Sequence, residues 1–480
     1  MKFDSDVVIG MEIHVSLNTK RKLFCSCMNK PNDSVNKNIC PVCIGHPGSR
    51  PVLNVEAVHK ALSLTLAFDF KIAPKLLFSR KTYFYPDLAK NFQITQYEEP
   101  IGANGTINLG HKSIGIERIH IEEDPGTIER KNSFSLIDYN RSGTPLCEIV
   151  TKPEISSPAE ARQLIRKLVL VMKYIDVWDK NVGNIKADLN ISIRETNYKK
   201  VEIKGVSGFK EIEDAIEYEI RRQQSDPSSI LAETRSYDPK HKITESMRKK
   251  ETEEDYGYIY ESDILPRKIS QELIDNVKNS MPELYDEKVD RYISIGLDKE
   301  VSESISSIPN LAKIMDDFVN NKIDSKIKSE NRASKNVQII DFSKFLKKEV
   351  ISLINDNLLS EDKLLLDNIQ NSVIEIYDLF YSRKINNHSA RTLLKEMNNH
   401  QKFEVESFAK DNGMFIETSV DLDSICSNVI SENENAVNDY KSGKYWAVNY
   451  LVGQVMKKLQ GKAMPDEVKS ILTDKLDNEK

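Results

Sequence analysis

Glycine is missing from a long internal stretch of the chain, and this gap divides the sequence more sharply than any other feature. Between Gly296 and Gly413 there is no glycine, and Pro309 is the only proline. Strands and tight turns need these two residue types, whereas helix interiors exclude them. Apolar residues between 342 and 354 recur at helical spacing. We therefore expect a turn-rich front part of mixed structure, followed by a helical stretch from about residue 297 to 405.

Composition and length exclude several classes of protein. At roughly 150 residues per domain, 480 residues predict about three domains. With 39% hydrophobic and 30% charged residues, the chain is typical of globular proteins and unlike a disordered polyelectrolyte. No apolar run approaches the roughly 20 residues that cross a bilayer, and residues 1–6 lack a signal-peptide layout. We expect a cytoplasmic protein that does not enter a membrane and whose cysteines are reduced.

The net charge places a limit on nucleic-acid binding. Sixty-eight basic residues and 74 acidic residues give a formal charge of −6. A chain with this balance is not a basic nucleic-acid coat, so any contact with nucleic acid must come from local patches.

Four of the six cysteines form two pairs. Cys25 and Cys27 are separated by one residue, Cys40 and Cys43 by two, and twelve residues lie between the pairs. Two pairs of thiolates on turns suit a tetrahedral Zn²⁺ site, and free thiols are the alternative. Because sulfur would fill all four positions, no place is left for a catalytic water. We expect a structural zinc that holds the loop of residues 25–43.

Three predicted strands expose carboxylates on their polar faces. The first places Glu12 and His14 on one face, about 7 Å apart by strand geometry. The second ends in the three acids 122–124 before a Pro-Gly turn, and the third presents Asp188. Oxygen ligands of this kind suit Mg²⁺. Together the strands indicate a Mg²⁺ site, although for each one alone a solvated face or an acidic turn is the alternative.

A cationic and aromatic segment lies between the first two of these strands. Arg80 and Lys81 precede Tyr83 and Tyr85, and such cations hold phosphate while aromatic rings stack on bases. A core strand with a basic edge is the alternative. The sequence has neither a G-x-x-x-x-G-K-[ST] loop nor a G-x-G-x-x-G motif. If ATP binds, metal ions and basic side chains must hold its phosphates.

A basic segment lies near the C-terminus. Residues 440–462 contain four aromatic residues and no acid. The lysines of this segment are Lys441, Lys444, Lys457, Lys458 and Lys462. A positive segment in an acidic chain suggests a polyanion, most naturally RNA. A solvated helix face is the alternative.

Between residues 7 and 457 the chain contains a series of motifs that resemble those of the B subunits of aspartyl/glutamyl-tRNA amidotransferases. The motifs follow one another in the same order as in that family. The first is V-I-G-M-E-I-H-V, the second R-K-T-Y-F-Y-P-D. The matching segments are residues 8–15, 80–87, 93–97, 122–124, 138–146, 148–150, 215–220, 233–235 and 450–456. Residues 205–209 depart from the family's Asn-Leu-Asn-Ser-Phe pattern. The chain lacks the length for the domain inserted in a longer Glu-tRNA-specific relative.

The resemblance implies a fold and a reaction. The fold is an α+β, mixed-sheet cradle domain over 1–292, a helical domain over 293–405 and a small helical tail domain over 406–480. ATP would phosphorylate the side-chain carboxylate of Asp or Glu misacylated on tRNA, and ammonia would then displace phosphate. A partner amidase, the family's A subunit, would release the ammonia from glutamine, and the small C subunit would complete a heterotrimer.

The resemblance and the residue patterns together assign candidate roles. The expected catalytic residues are Glu12, His14, Lys81, Glu123 and Asp188. The expected Mg²⁺ ligands are Glu12, His14 and Glu123. The expected ATP contacts are Arg80, Lys81, Tyr83 and Tyr85. The expected tRNA contacts in the tail are Lys441, Lys444, Lys457 and Lys458. The alternative function is a zinc-stabilised RNA-binding scaffold without chemistry of its own.

Overall fold

A computed structural model describes most of the chain and divides it into two compact units. The described residues are 6–32, 34–178, 185–249, 256–324, 332–400, 402–416, 421–459 and 462–478. The first unit is Met1–Tyr285 and the second is Asp286–Lys480. Strands of the described residues lie in the first unit, and the second is built from helices. The predicted fold class, a mixed-sheet part followed by a helical part, is confirmed.

The strands of the first unit form one large sheet and three small ones. The strands are β1 (Val7–Ser16), β2 (Lys71–Ile72), β3 (Lys75–Leu76), β4 (Ser79–Thr82), β5 (Phe92–Thr95), β6 (Gly102–Asn108), β7 (Ser113–Glu123), β8 (Thr127–Arg130), β9 (Ser135–Asp138), β10 (Pro145–Thr151), β11 (Lys186–Ile193), β12 (Val201–Ser207), β13 (Glu233–Asp238), β14 (Ile243–Lys249), β15 (Gly257–Tyr260) and β16 (Arg267–Lys268). The large sheet has the order β14-β13-β12-β11-β1-β10-β7-β6-β2. Its β12–β13 pair is parallel and its other pairs are antiparallel. The small sheets are β15-β4-β5, β16-β3 and β8-β9.

Helices cover one face of the large sheet. The helices of this unit are α1 (Val55–Ala67), α2 (Pro158–Tyr174), α3 (Phe209–Ser225) and α4 (Gln271–Ser280). Apolar residues of β1, such as Ile9 and Ile13, share one buried cluster with Leu164 of α2 and Ile216 of α3. Successive strand residues point to opposite faces. The polar residues between them therefore lie on the face that the helices do not cover.

The second unit holds the stretch without glycine. Its helices are α5 (Tyr285–Ser294), α6 (Lys299–Ser306), α7 (Pro309–Asp324), α8 (Arg332–Phe345), α9 (Ser352–Asn355), α10 (Asp367–Tyr381), α11 (Asn387–Glu396), α12 (Val405–Asp411), α13 (Leu422–Glu432), α14 (Glu434–Lys441), α15 (Ala447–Lys458) and α16 (Pro465–Asn478). Its core consists of two separate hydrophobic clusters, from Tyr292 to Ala409 and from Cys426 to Leu476. The division at residues 292 and 405 stays a prediction. Within the described ranges, no helix has the length and apolar character that crossing a membrane requires.

Candidate active site

Polar side chains form a row across the uncovered face of the large sheet, on six neighbouring strands from β13 to β7. Directly paired residues share a face, and the registers pair Glu12 with Asp188, His14 with Glu148, and Glu148 with His120. The residues of this polar row, in strand order, are Thr234, Glu202, Asp188, Asn190, Glu12, His14, Glu148, His120 and Glu122. Side chains alternate between the two faces along each strand, and the registers align the residues of one face across neighbouring strands. The polar row arises from both effects.

The first group in the row centres on His14. Its Nε2 lies 3.4 Å from Glu148 Oε2 and 3.8 Å from Glu122 Oε1. Potential ligand atoms of these three residues lie within 4.8 Å of one another. His120 Nε2 lies 3.5 Å from Glu148 Oε2 and 3.6 Å from Glu122 Oε2. One imidazole and two carboxylates thus converge in a geometry that can hold a cation.

The second group consists of the carboxylates of Glu12, Asp188 and Glu202, which also lie within 4.8 Å of one another. A register shift in the pairing of β11 with β12 lies beside Asp188. Opposite it, Gly205 has a φ of +64°, a conformation that favours glycine. Its N–H donates to Asp188 Oδ1 at 2.7 Å. Lys204 Nζ lies 3.3 Å from the other oxygen of Asp188.

Burial and neighbouring charges shift the pKa values of several residues in the polar row. Burial raises the pKa of Glu12, and nearby carboxylates, first that of Glu148, raise it further. Burial alone would lower the pKa of His14, but a hydrogen bond to Glu148 and the charges of Glu148 and Glu122 raise it to about 10. Burial alone would raise the pKa of Glu148, yet His120 and His14 hold it well below its usual range. Carboxylates outnumber histidines in the row, so the donor set suits a hard divalent cation.

A cavity of about 1120 Å³ opens in front of the first group. His14, Glu122 and Glu148 are among its lining residues. The cations of its lining are Lys30, Lys81, Arg130, Arg141, Lys186 and Lys204. Its carboxylates and cations are therefore arranged around one space, which is large enough for a nucleotide-sized ligand.

The predicted ATP contacts separate into two sets. Lys81, Tyr83 and Tyr85 line the cavity, and Lys81 Nζ lies 4.6 Å from the centre of the Tyr256 ring. Arg80 points to the other face of β4, where Nε and Nη2 bind the Glu261 carboxylate at 2.8 and 2.9 Å. Alternation along the strand explains why two adjacent cations have different surroundings.

The structure brings Glu122, instead of the expected Glu123, to His14. Glu123 is 3% exposed, and its carboxylate forms an ion pair with Lys90 and accepts a hydrogen bond from the N–H of Ile94 at 2.9 Å. Glu122 lies on the same face of β7 as His120, which is two residues earlier, whereas Glu123 lies on the opposite face. In this geometry Glu122 lies with His14, and Glu12 lies with Asp188 in the second group, so the three expected ligands do not share one group.

Sequence reasoning missed Glu148 and Glu202 as members of the two groups. Glu148 interrupts β10, in which every residue is buried, and Glu202 is 7% exposed in β12. Acids are almost never fully buried unless they are paired. For Glu148, an acid between the apolar residues of β10 was the available signal.

The four cysteines lie close together, as predicted. Their sulfur atoms lie within 4.8 Å of one another, and all are free thiols. A hydrogen bond from the Cys25 thiol lowers the pKa of Cys43 to about 5, and the charge of Lys22 contributes. Four such sulfur atoms could bind a metal ion. Next to them, Gly45 has a φ of +70°, and a Cβ there would lie 2.5 Å from Cγ of Lys90.

The predicted tRNA-contacting lysines lie on exposed surfaces of α14, α15 and the turn between them. Lys444 Nζ pairs with Asp439 at 2.9 Å, and Lys458 Nζ pairs with Glu432 at 2.6 Å. Both acids lie just outside the basic segment of residues 440–462. Folding therefore offsets part of the positive charge that the segment has in the sequence.

Comparison with known proteins places the two parts of the chain in one class. A sequence model described as the GatB/GatE catalytic domain matches residues 7–275, and one described as the GatB domain matches residues 328–476. The first match covers the polar row, the cavity and the cysteine cluster.

Full-length relatives then give the particular family. The B subunit of the aspartyl/glutamyl-tRNA(Asn/Gln) amidotransferase of Caldanaerobacter subterraneus is 36% identical over 99% of this chain and 100% of its own length. Proteins of the same name from Thermodesulfovibrio yellowstonii and Clostridium kluyveri are 35% and 36% identical, over 97% and 99% of this chain and 98% and 99% of their lengths. The chain belongs to the family of aspartyl/glutamyl-tRNA(Asn/Gln) amidotransferase B subunits, which confirms the resemblance.

Proposed function

We propose that this chain uses ATP to activate the side-chain carboxylate of Asp or Glu misacylated on tRNA, and then converts it to the amide with ammonia. The observation that carries the proposal is the polar row, in which two groups of ligating side chains share one sheet face beside a cavity with cationic residues. Family membership supports the same reaction, because relatives are named as tRNA amidotransferase subunits.

The chemistry explains why such a site is needed. A carboxylate is a poor acylating agent, because oxide would have to leave. Attack of the carboxylate oxygen on the γ-phosphorus of ATP forms an acyl phosphate and releases ADP. Ammonia then attacks the acyl carbon, phosphate leaves, and a proton is lost from nitrogen to give the amide. Transfer between two anions requires positive charge at the site.

Two groups of side chains would hold divalent cations. The first is His14, Glu122 and Glu148, and the second is Glu12, Asp188 and Glu202. Bound Mg²⁺ would screen the repulsion between ATP and the substrate carboxylate and neutralise charge on the phosphoryl oxygens.

The cationic residues of the cavity have a separate task. Lys81 and Lys204 contribute fixed positive charge for phosphate oxygens. The Tyr256 ring positions Lys81, and the Asp188 carboxylate positions Lys204. Tyr83 and Tyr85 offer ring faces for the base or ribose of the nucleotide. These roles are chemically distinct from cation binding, so substitutions should separate them.

We also propose that the cysteine cluster binds a structural Zn²⁺. Four sulfur ligands would complete a tetrahedral site and leave no position for substrate. The charge of Lys22 near Cys43 compensates part of the negative charge of a thiolate site.

The chain is proposed to act in the cytoplasm as part of a heterotrimer. An amidase, the A subunit, would supply ammonia from glutamine, and the small C subunit would join the two. Exposed lysines of the tail, first Lys457, would contact the tRNA backbone.

Reconstitution of the complex tests this function. ADP release and amide formation would be measured with Asp-tRNA and with Glu-tRNA, for wild type, Glu12→Gln, Glu148→Gln and the control Glu117→Gln. Glu117 lies on β7 like Glu122, but its side chain is exposed and pairs with Arg118. Loss of both products in the two site variants, with a normal control, is expected. Normal amide formation in Glu12→Gln and Glu148→Gln would overturn the proposal and favour a scaffold without chemistry.

A further inference from the structure

Thr234 lies at the β13 end of the polar row and touches one of its carboxylates. The Thr234 hydroxyl donates a hydrogen bond to Glu202 Oε2 at 2.9 Å. Thr234 is 1% exposed, and Glu202 is 7% exposed. The parallel pairing of β12 with β13 places the two residues side by side, so both side chains leave the sheet on one face. The contact is therefore built into the register of the sheet.

Each carboxylate of the second group accepts a hydrogen bond from a neutral donor. Glu12 Oε1 accepts from Asn190 Nδ2 at 3.3 Å, and Asp188 Oδ1 accepts from the N–H of Gly205 at 2.7 Å. Thr234 has the same relation to Glu202, whose Oε2 also lies 3.8 Å from the cationic Nζ of Lys204. A neutral donor orients a carboxylate without cancelling its charge, and such outer partners tune the affinity of a metal site.

The position of Thr234 is fixed from the opposite face of the sheet. Its neighbour Arg235 donates from Nε to Thr244 Oγ1 at 2.8 Å, and the Thr244 hydroxyl donates to Glu219 Oε2 at 2.9 Å. Glu219 is fully buried in α3. The buried network holds β13 against α3, so the Thr234 hydroxyl has little freedom to move away from Glu202.

We propose that Thr234 is a positioning residue that orients Glu202 for divalent cation binding at the group of Glu12, Asp188 and Glu202. This inference rests on the proposed function, because it assumes that the group binds a cation. Without the hydroxyl, Glu202 keeps its charge and its ion pair with Lys204 but loses a short hydrogen bond that orients its carboxylate. The affinity for the cation falls, while the site for the nucleotide remains.

The test measures Mn²⁺ binding to the purified full-length chain, by the loss of the free-ion paramagnetic resonance signal. Thr234→Val removes the hydroxyl at constant shape, Thr234→Ser retains it, and Glu12→Gln removes a proposed ligand. Thr65→Val is the matched control, because Thr65 is also buried but its hydroxyl donates to Leu62 O within α1. We expect Thr234→Val to weaken one class of Mn²⁺ sites about tenfold. Thr234→Ser and Thr65→Val should bind as wild type does.

A second readout uses the reconstituted complex. The Mg²⁺ concentration that half-saturates ADP formation should rise about tenfold in Thr234→Val, with KM for ATP at saturating Mg²⁺ unchanged. If Thr234 had a merely structural role, the half-saturating Mg²⁺ concentration and KM for ATP would either both change or both stay the same.

The Mn²⁺ measurements distinguish failure of the role of Thr234 from failure of the proposed cation site. Equal Mn²⁺ binding by wild type and Thr234→Val, with weaker binding by Glu12→Gln, overturns the role of Thr234 and leaves the proposed function standing. Equal binding by wild type and Glu12→Gln removes the cation site itself. If Thr234→Val does not fold, Thr234→Ala compared with Thr234→Ser decides by the same criterion.

Discussion

Glu122 and Glu123 are neighbours on β7, yet their carboxylates have different partners. Glu122 Oε1 lies 3.8 Å from His14 Nε2, whereas the buried Glu123 forms an ion pair with the partly buried Lys90. Glu122 lines the cavity, whereas Glu123 links β7 to the segment that contains Lys90. Substitution of these two adjacent glutamates should therefore affect different properties of the protein.

Glu122→Gln should impair catalysis and Glu123→Gln should impair stability. Loss of the Glu122 charge should lower Mn²⁺ affinity on the order of 10–100-fold, with little change in urea unfolding. Glu123→Gln leaves the partly buried Lys90 without its counter-charge and should cost about 3 kcal/mol of unfolding free energy. Each variant is the control for the other. The opposite pattern, with Mn²⁺ affinity lost in Glu123→Gln, would restore Glu123 as a ligand.

Arg80 and Lys81 offer a second adjacent pair. Arg80→Met leaves the buried Glu261 carboxylate unpaired, so we expect a loss of about 3 kcal/mol in unfolding free energy. Lys81→Met removes a cation from the cavity, and kcat for ADP formation should fall on the order of 10²-fold at unchanged stability. Urea titration and steady-state kinetics measure the two effects. Unchanged kcat in Lys81→Met would exclude Lys81 from phosphate contact.

A side chain at Gly45, next to the cysteine cluster, should clash with Lys90. Gly45→Ala meets both a left-handed backbone and the close Lys90 side chain, whereas Gly48→Ala meets a left-handed backbone with open space around it. We expect losses of about 1 kcal/mol for Gly48→Ala and about 3 kcal/mol for Gly45→Ala, from backbone strain and crowding together. Thermal unfolding measures both. Equal losses would show that Lys90 moves aside freely.

Metal analysis tests the cysteine cluster. The purified chain should contain about one zinc ion, and Cys43→Ser should lose it with a lower melting temperature. Cys426→Ala is the control, since Cys426 is a buried thiol in a different hydrophobic cluster. A strong chelator should lower the melting temperature of wild type and of this control alike. Zinc-free protein with an unaltered melting temperature would contradict the assignment.

The tail lysines should contribute unequally to tRNA binding. Within the described residues, no carboxylate pairs with Lys457, whereas Lys444 pairs with Asp439. Lys457→Ala should therefore weaken tRNA binding more than Lys444→Ala. It should also reduce the slope of log affinity against log salt by roughly 0.7–0.9. Filter binding over a range of salt concentrations measures both. A slope in Lys457→Ala equal to that of wild type would remove Lys457 from the contact.

Much of the fold was readable from local pattern. The stretch from Gly296 to Gly413 is helical in its described parts, because helices exclude glycine and proline from their interiors. Glu12 and His14 share the polar face of β1 as period two requires. The two cysteine pairs lie together because short spacing brings thiols onto adjacent turns.

The sequence by itself determined which residues leave each strand on the same side, since alternation is a property of the extended backbone. Only the tertiary structure decided which carboxylates meet. Glu148 and Glu202 reach the neighbourhood of β1 through the strand order β12-β11-β1-β10, and Arg80 binds Glu261, 181 residues away. Long-range strand pairing and ion pairing depend on the whole packed core, so no local pattern contains them.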